Sequence, residues 1–549
     1  VVTIEGWYNN KEMQDLYSIE LARRGYVVLA LDLHSHGDSE SLSIAELYDG
    51  AVGVDGAVQL IASLPYVDTA RIGVTGHSSG GTAANMAVEI DNSRETPLIA
   101  AVLQQAGDWQ DDTGGDHSGD YGSRSVGIIA STHDDFYFGT YDDAGNMLTN
   151  PAAFMETDGA KKFLNFNEDG FAGIAEGGKY YTRDFDGKTA YRVIYRPNMI
   201  HPLVAFSTTC VGYAVDFFDT TLGAPKPLPA SDQIWPIKAV FNSLGVIGLL
   251  IFMVSFTLVL LDTPVFSALR SGEIVQPAPV QDSGAKAWYW VLLIIGAVFS
   301  GASFLFCMNT VYSKTTNFFV QTGPLTIGTW AALCGVFAIF CSAVFYGAYG
   351  KKHGWSARRA GLYLNLEQLW KPIALAVIVI VVSFGLVFAA HYFFQVDYRM
   401  YVVAFKTFGA DKVLIALRYL PFFLLFYVMN SISANCFNYN TIGGKNGNIL
   451  IFAFFNALGA IFVVASQYIY FYATGYQLYG LTEGQRIGPI WLFPCMVLLF
   501  VTPIMSRIIY KRTRNPYIAG LINAMFIVMI SCSNTTTILG GGELIATTF

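Results

Sequence analysis

Cysteine is nearly absent from the first 222 residues, where Cys210 stands alone, and the other six of the seven lie in or beside apolar runs. That excludes a disulfide framework and a cysteine-based metal site with ligand spacing. Basic residues are equally scarce in this stretch: 13 Lys and Arg face 32 Asp and Glu, a net charge of −19. Such a surface repels a phosphate backbone and argues against nucleic acid as a partner. Charged residues make up only 13% of the 549-residue chain, and the mean hydropathy of +0.42 is too high for an ordinary soluble protein of this length. Residues 223–549 reverse the balance, with 20 basic against 9 acidic residues, a net of +11. An acidic, soluble front half is therefore joined to a basic, apolar back half that belongs in a bilayer.

The back half holds about eight apolar runs near the ~20 residues a spanning helix needs, at 239–262, 288–309, 325–348, 372–393, 414–434, 448–471, 487–506 and 516–533. It lacks a central carboxylate, which gives proton-coupled transport little support. Only His391, near one end of a run, and amides such as Asn430, Asn435, Asn456, Gln467 and Asn523 stand out. Those amides suit hydrogen bonding between helices. The segment 397–412 mixes aromatics with sparse charge and reads as lying along the outer membrane interface. Loops after the first, third, fifth and seventh runs carry twelve Lys and Arg, Arg507 among them, against six in the alternate loops. The positive-inside rule makes the twelve-residue side cytoplasmic and sets the front half on the extracytoplasmic side of the cell membrane. That orientation calls for an upstream signal or anchor, and the chain opens on Val1 within a strand-like VVTIE, which reads as an N-terminal truncation.

The front half alternates strand-like and helix-like segments. VVTIE, YVVLALDL, RIGVT, LIAAVLQQA and SVGIIAS are separated by the helical MQDLYSIELARRG, YDGAVGVDGAVQLIASL and TAANMAVEI. This is the pattern of a mostly parallel α/β sheet flanked by helices. A helix near 151–166, a hairpin about Asp186-Gly187 and a last helix at 202–221 complete it. Pro225, Pro227, Pro229 and Pro236 mark a semi-rigid linker. The expected organisation is a domain at 1–222, a linker at 223–238 and an all-α transmembrane domain at 239–549.

Within RIGVTGHSSGG, residues 76–80 satisfy G-x-S-x-G directly after a β-type segment and before a helix. A serine on a tight strand-to-helix turn needs small residues two positions either side, which Gly76 and Gly80 supply, so Ser78 is the candidate nucleophile. Its hydroxyl requires a general base and an acid that orients the base. SVGIIAS leads into Thr132, His133, Asp134 and Asp135, placing a carboxylate at a strand's C-terminal end, where ligand chemistry gathers in open sheets. Asp134 fits the spacing better and Asp135 is the alternative acid. His201 follows the strand TAYRVIY and comes after both serine and acid, making it the candidate base; His117, in an Asp-rich loop, is the fallback. Asp108, Asp111, Asp112, Asp116 and Asp120 lack EF-hand spacing and read as a solvated acidic loop. His34 and His36 read as structural hydrogen-bonding residues, and neither metal nor cofactor is called for.

Over 1–222 the chain resembles the α/β-hydrolase superfamily, in its dienelactone-hydrolase-like and serine-aminopeptidase-like branch. LDLHSHGDSE looks like that family's D-x-x-G-H-G-x-S turn, RIGVTGHSSGG like its nucleophile elbow and STHDDF like its acid turn. The resemblance implies an oxyanion hole from the backbone N–H groups of Ser79 and Trp7. The sequence departs from the family at Glu5-Gly6, where His-Gly is common; an inward-pointing carboxylate there would oppose a developing negative charge. Only residues 107–124 separate LIAAVLQQA from SVGIIAS, which leaves no room for a helical lid and predicts an open site. The insertion 136–190 is either a wall over the site or a surface excursion.

The expected function is a membrane-anchored serine hydrolase that cleaves an ester, less readily an amide, of a small molecule, lipid or cell-envelope component. Acyl transfer to a lipid or envelope acceptor would use the same triad. A non-catalytic ligand-binding sensor or transporter accessory is the third reading, with Glu5 as its support.

Overall fold

The computed structural model describes residues 1–111, 115–142, 146–273, 275, 277–278, 280–363 and 366–543. The front half is one seven-stranded sheet of β1 (Val2–Ile4), β2 (Leu29–Leu31), β3 (Ile72–His77), β4 (Ile99–Gln105), β5 (Ser125–Ile129), β6 (Tyr181–Phe185) and β7 (Lys188–Tyr195), in the spatial order β2-β1-β3-β4-β5-β7-β6. Every pairing is parallel except β6 with β7. That hairpin turns at Asp186 and Gly187, both at positive φ (52° and 83°), as a two-residue turn demands. The helices α1 (Asp15–Arg23), α2 (Val54–Ala62), α3 (Ser79–Asn92), α4 (Asp158–Leu164) and α5 (Thr208–Leu222) flank the sheet. β3, β4 and β5 are buried almost throughout, which explains their unbroken apolar character. Two predicted helices are interrupted. The segment 48–64 becomes regular only from Val54, beyond left-handed Gly50, Ala51 and Gly53. The last one divides into a turn at His201–Val204 and α5, whose Ser207 caps it by accepting from the Cys210 amide.

The back half comprises α6 (Trp235–Leu261), α7 (Ser283–Thr310), α8 (Thr322–Phe345), α9 (Leu366–Phe394), α10 (Ala410–Ile432), α11 (Gly444–Thr474), α12 (Glu483–Thr513) and α13 (Tyr517–Ser533). Among the described residues seven helices are long and apolar enough to cross a bilayer; α13, the eighth apolar run, is a shorter, mostly buried helix. The amides cross-link the helices as their chemistry suggests. Asn430 donates to Asn456 (2.6 Å), Asn456 to the Leu499 carbonyl (2.6 Å), and Asn523 to that of Thr502 (3.2 Å).

Arg507 is a correction to the loop reading. It lies within α12 and is buried, donating to Asn435 (2.8 Å), Asn448 (3.2 Å) and the Ala434 carbonyl, over the Tyr439 ring. Residues 397–412 lead from the end of α9 into α10. They begin with a small hairpin, Tyr398–Met400 against Val403–Phe405, whose second strand is fully buried. Its Arg399 donates to Asn10 of the front domain (2.8 Å).

The proline-rich segment is pinned rather than loose. Buried Arg24 donates to the carbonyls of Leu228, Pro229 and Asp232 and pairs with fully buried Glu20 (3.0 Å), which accepts from the Ile234 and Trp235 amides at the start of α6. Without Arg24 the three linker carbonyls lose a charged donor, while Glu20 keeps Arg23 at 2.7 Å. Arg24→Ala should therefore cost about 2 kcal/mol, measured by denaturant unfolding of the full-length protein in micelles.

Candidate active site

β3 delivers its chain into the turn at high strain. Ser78 sits at φ 55°, ψ −125°, a region non-glycine residues rarely occupy, between the last residue of β3 and the first of α3. The geometry tolerates nothing larger than glycine on either side. A Cβ on Gly76 would lie 2.2 Å from the Gly80 carbonyl group, and one on Gly80 would lie 2.2 Å from the Glu5 carbonyl oxygen. The Ser78 amide is held by the Gln105 carbonyl at 2.8 Å. Ser79 opens α3, so its N–H is among the donors a helix leaves without an intrahelical acceptor. Gly6 lies against the same turn: a Cβ there would come 3.1 Å from the Ser78 Cβ. The Gly6-Trp7 peptide is thus a neighbour of the serine.

The loop after β5 carries Asp134, which is buried. One oxygen accepts from the Phe136 and Tyr137 amides (3.0 and 2.9 Å) and the other from the Ser131 hydroxyl (3.0 Å). His201 Nδ1 lies 2.9 and 3.0 Å from the two carboxyl oxygens. A carboxylate only accepts, so Nδ1 carries the proton and Nε2 is left as the basic nitrogen. The His201 ring is confined by Tyr137, stacked at 5.8 Å, by Phe136 edge-on (4.9 Å) and by a tilted His77 ring (4.8 Å). His77 Nε2 donates to the His201 carbonyl (3.2 Å), and burial, with His201 adding, pushes its pKa down to about 3. Ser78 and His201 line one cavity.

Asp135 is differently placed. One oxygen accepts weakly from the His201 amide (3.3 Å) and the other has no partner. Burial and the neighbouring Asp134 charge push its carboxyl well above the usual range. His117 is bound by Asp111 (2.9 Å) and Asp120 (2.8 Å), inside the acidic loop and away from the cavity; Asp112 lies outside the described residues. His36 spends its ring nitrogens on the His34 carbonyl (2.9 Å) and the Thr536 hydroxyl (2.8 Å).

The expectation of an open site is overturned. The loops at the sheet's C-terminal edge are seated on the ends of the apolar helices and their connections. Tyr8 meets Tyr312 (3.1 Å), Tyr401 donates to the Pro202 carbonyl (2.9 Å), Gln477 donates to the Asp135 carbonyl (2.7 Å), and Lys406 reaches Asp38 (3.3 Å). The chain returns after α13, where Ile538 and Leu539 pair in parallel with Leu42 and Ser43. A lid made of residues 199 to 368 positions away from those they meet leaves no trace in the length of the loop between β4 and β5. Tyr8, Tyr312, Glu483 and Trp491 therefore join the site unforeseen; Tyr312 donates to Glu483 (2.6 Å), and Trp491 packs edge-on to Tyr8 (5.0 Å). The insertion 136–190 does both things expected of it. Phe136 and Tyr137 wall the cavity, while much of 165–179 is exposed.

Glu5 turns away from the serine. One oxygen accepts from the Leu33 amide (2.8 Å), and burial, then the Asp32 charge, push its carboxyl well above the usual range. A raised acid is favoured protonated in the folded state, so its contribution is full below the unfolded value of ~4.3 and is lost as pH rises through the folded one. Glu5→Gln should flatten the fall in melting temperature above that pH while leaving Ser78 reactive. Melting curves and serine-probe labelling from pH 5 to pH 8 check both.

Residues 3–228 match the model of the alpha/beta hydrolase family. No curated protein matches the chain. With its mostly parallel sheet and strained serine turn, the front half is an α/β-hydrolase domain, fused to a helical domain with seven helices, among the described residues, long and apolar enough to cross a membrane.

Proposed function

We propose that this protein is a serine hydrolase that cleaves an ester, less readily an amide, through an acyl-enzyme. The observation that carries the reading is the Asp134-His201 pair, aligned through both carboxyl oxygens, in the cavity that also holds strained Ser78. Ser78 Oγ attacks the ester carbonyl carbon as its proton passes to His201 Nε2, and Asp134 stabilises the resulting imidazolium. The Ser79 and Trp7 amides hold the oxyanion. Collapse of the tetrahedral intermediate breaks the carbon–oxygen bond to the leaving alcohol, which takes the proton from Nε2. Water then attacks the acyl-Ser78 ester with the same base and releases the acid.

The charge bias of the loops supports an extracytoplasmic hydrolase domain in the cell membrane. The Glu5 carboxyl, bonded to the Leu33 amide and pushed well above the usual range by burial, weakens the case for a silent, ligand-binding domain. Closure over Ser78 favours a second reading, acyl transfer to a lipid or envelope alcohol, because a covered acyl-enzyme meets less water. An acceptor assay in membranes separates the two.

Labelling of the full-length protein in membranes with a fluorophosphonate serine probe is the direct test. Ser78→Ala should abolish labelling, and His201→Ala and Asp134→Asn should slow it on the order of 10³-fold or more. Asp135→Asn should label nearly as wild type. Full labelling of Ser78→Ala would overturn the assignment, and no labelling of folded wild type would return the domain to a binding role.

A further inference from the structure

The cavity that holds Ser78 does not end at the hydrolase domain. It continues into the helical domain with a volume of about 490 Å³, within the range of ~300–1,000 Å³ typical of ligand sites. Along α8 its lining runs from Gly323 to Phe345, and along α7 from Ala285 to Ser300. The helix from Gly323 to Phe345 rises ~33 Å, close to the ~30 Å hydrocarbon core of a bilayer. The path therefore follows the apolar helices for about one membrane thickness.

Its chemistry changes along its length. Beside Ser78 it is polar and aromatic, with Tyr8, Tyr312 and Glu483. Through the bundle the walls are apolar, including Leu293, Ile327, Phe337, Phe423 and Leu498. The mid-depth amides there, Asn430 and Asn456, are engaged with each other at 2.6 Å. Amides recur at the far end in Asn438 and Asn440. A narrow apolar path that opens at a reactive serine matches one kind of occupant, a hydrocarbon chain whose carbonyl stops at the serine.

We propose that the helical domain is the acyl-chain compartment of this enzyme: the substrate is a long-chain acyl ester of a membrane lipid, whose chain lies between α7, α8, α10 and α12 while its carbonyl reaches Ser78. This rests on the acyl-enzyme reading above and names its substrate class. Each methylene drawn from water into such a wall favours binding, so chain length is the variable that the compartment reads. It also gives the helices a role beyond anchoring.

Glycine positions provide a clean test. Gly296 lines the cavity halfway along α7, and a Cβ there meets nothing within 4 Å, so a larger side chain projects into free space. Gly248, in α6, has the same freedom but does not line the cavity. Full-length wild type, Gly296→Leu, Gly248→Leu and Ser78→Ala would be assayed in micelles on p-nitrophenyl esters of 4 to 20 carbons. Wild-type kcat/KM should rise with chain length. Gly296→Leu should lose about tenfold or more on the longest esters and stay within about twofold on the shortest, as expected when buried methylenes are displaced. Gly248→Leu should follow wild type throughout.

The proposal is overturned if wild type has no chain-length preference, if Gly296→Leu tracks Gly248→Leu at every length, or if it loses equally on short and long esters. Turnover of the four-carbon ester that survives in Ser78→Ala defeats the hydrolase reading itself, and the compartment with it. A wild-type measurement stands apart from the variants: a fluorophosphonate with a long alkyl chain and a terminal diazirine should bond to Ser78, expelling fluoride. On illumination its tip should crosslink within α7, α8 or α10, near Gly296 or Phe337. Capture only of detergent or of the hydrolase surface would overturn the compartment.

Discussion

The seating of the sheet's C-terminal edge on the ends of the apolar helices is the constraint on which the rest of the site depends. In an open α/β sheet that edge collects the reactive loops and leaves them in water. Here Arg399 bonds Asn10, Thr536 bonds His36, Tyr401 bonds the Pro202 carbonyl and Gln477 bonds the Asp135 carbonyl. Four loops of one domain are thereby tied to three separate segments of the other, the 398–405 hairpin holding two of them. Groups buried between them interact more strongly than groups in water. The depressed His77 and the raised Asp135 both have burial as their largest cause.

Inside that enclosure the hydrolase domain supplies rigidity at the reacting group. Ser78 is held in a strained conformation on a turn so tight that Gly76 and Gly80 have no room for a Cβ. Two adjacent aspartates are given unequal tasks by what surrounds them. Asp134 accepts from two amides and a hydroxyl and faces His201, whereas Asp135 has one weak donor and a bare oxygen. Only the first has the partners that stabilise a charge beside an imidazolium.

The membrane half is held together by a different currency. Asn430 and Asn456 bond each other and the Leu499 carbonyl, and buried Arg507 bonds Asn435 and the Ala434 carbonyl, so these polar groups are engaged within the bundle. Dense cross-links on some faces and open, apolar space on others let a bundle be stable and still hold a path. The pinned linker, through Arg24 and Glu20, fixes α6 to α1 and so helps keep the two halves in register.

The order of strands and helices was legible because apolar periodicity and turn residues are local properties, and the serine turn was legible because its steric demand falls on residues two positions away. The spacing from β5 also favoured Asp134, since a strand end and its following loop are contiguous. Where local patterns were read for more than they hold, they misled: a short loop between β4 and β5 spoke for an open site, and charge placed Arg507 in a loop. By itself the sequence determined an α/β sheet with a nucleophile-type turn, followed by apolar helices. The tertiary structure alone decided what covers that turn, because Tyr8 and Tyr312, or Ser35 and Thr537, are brought together by packing across hundreds of residues, and no local periodicity encodes such a meeting.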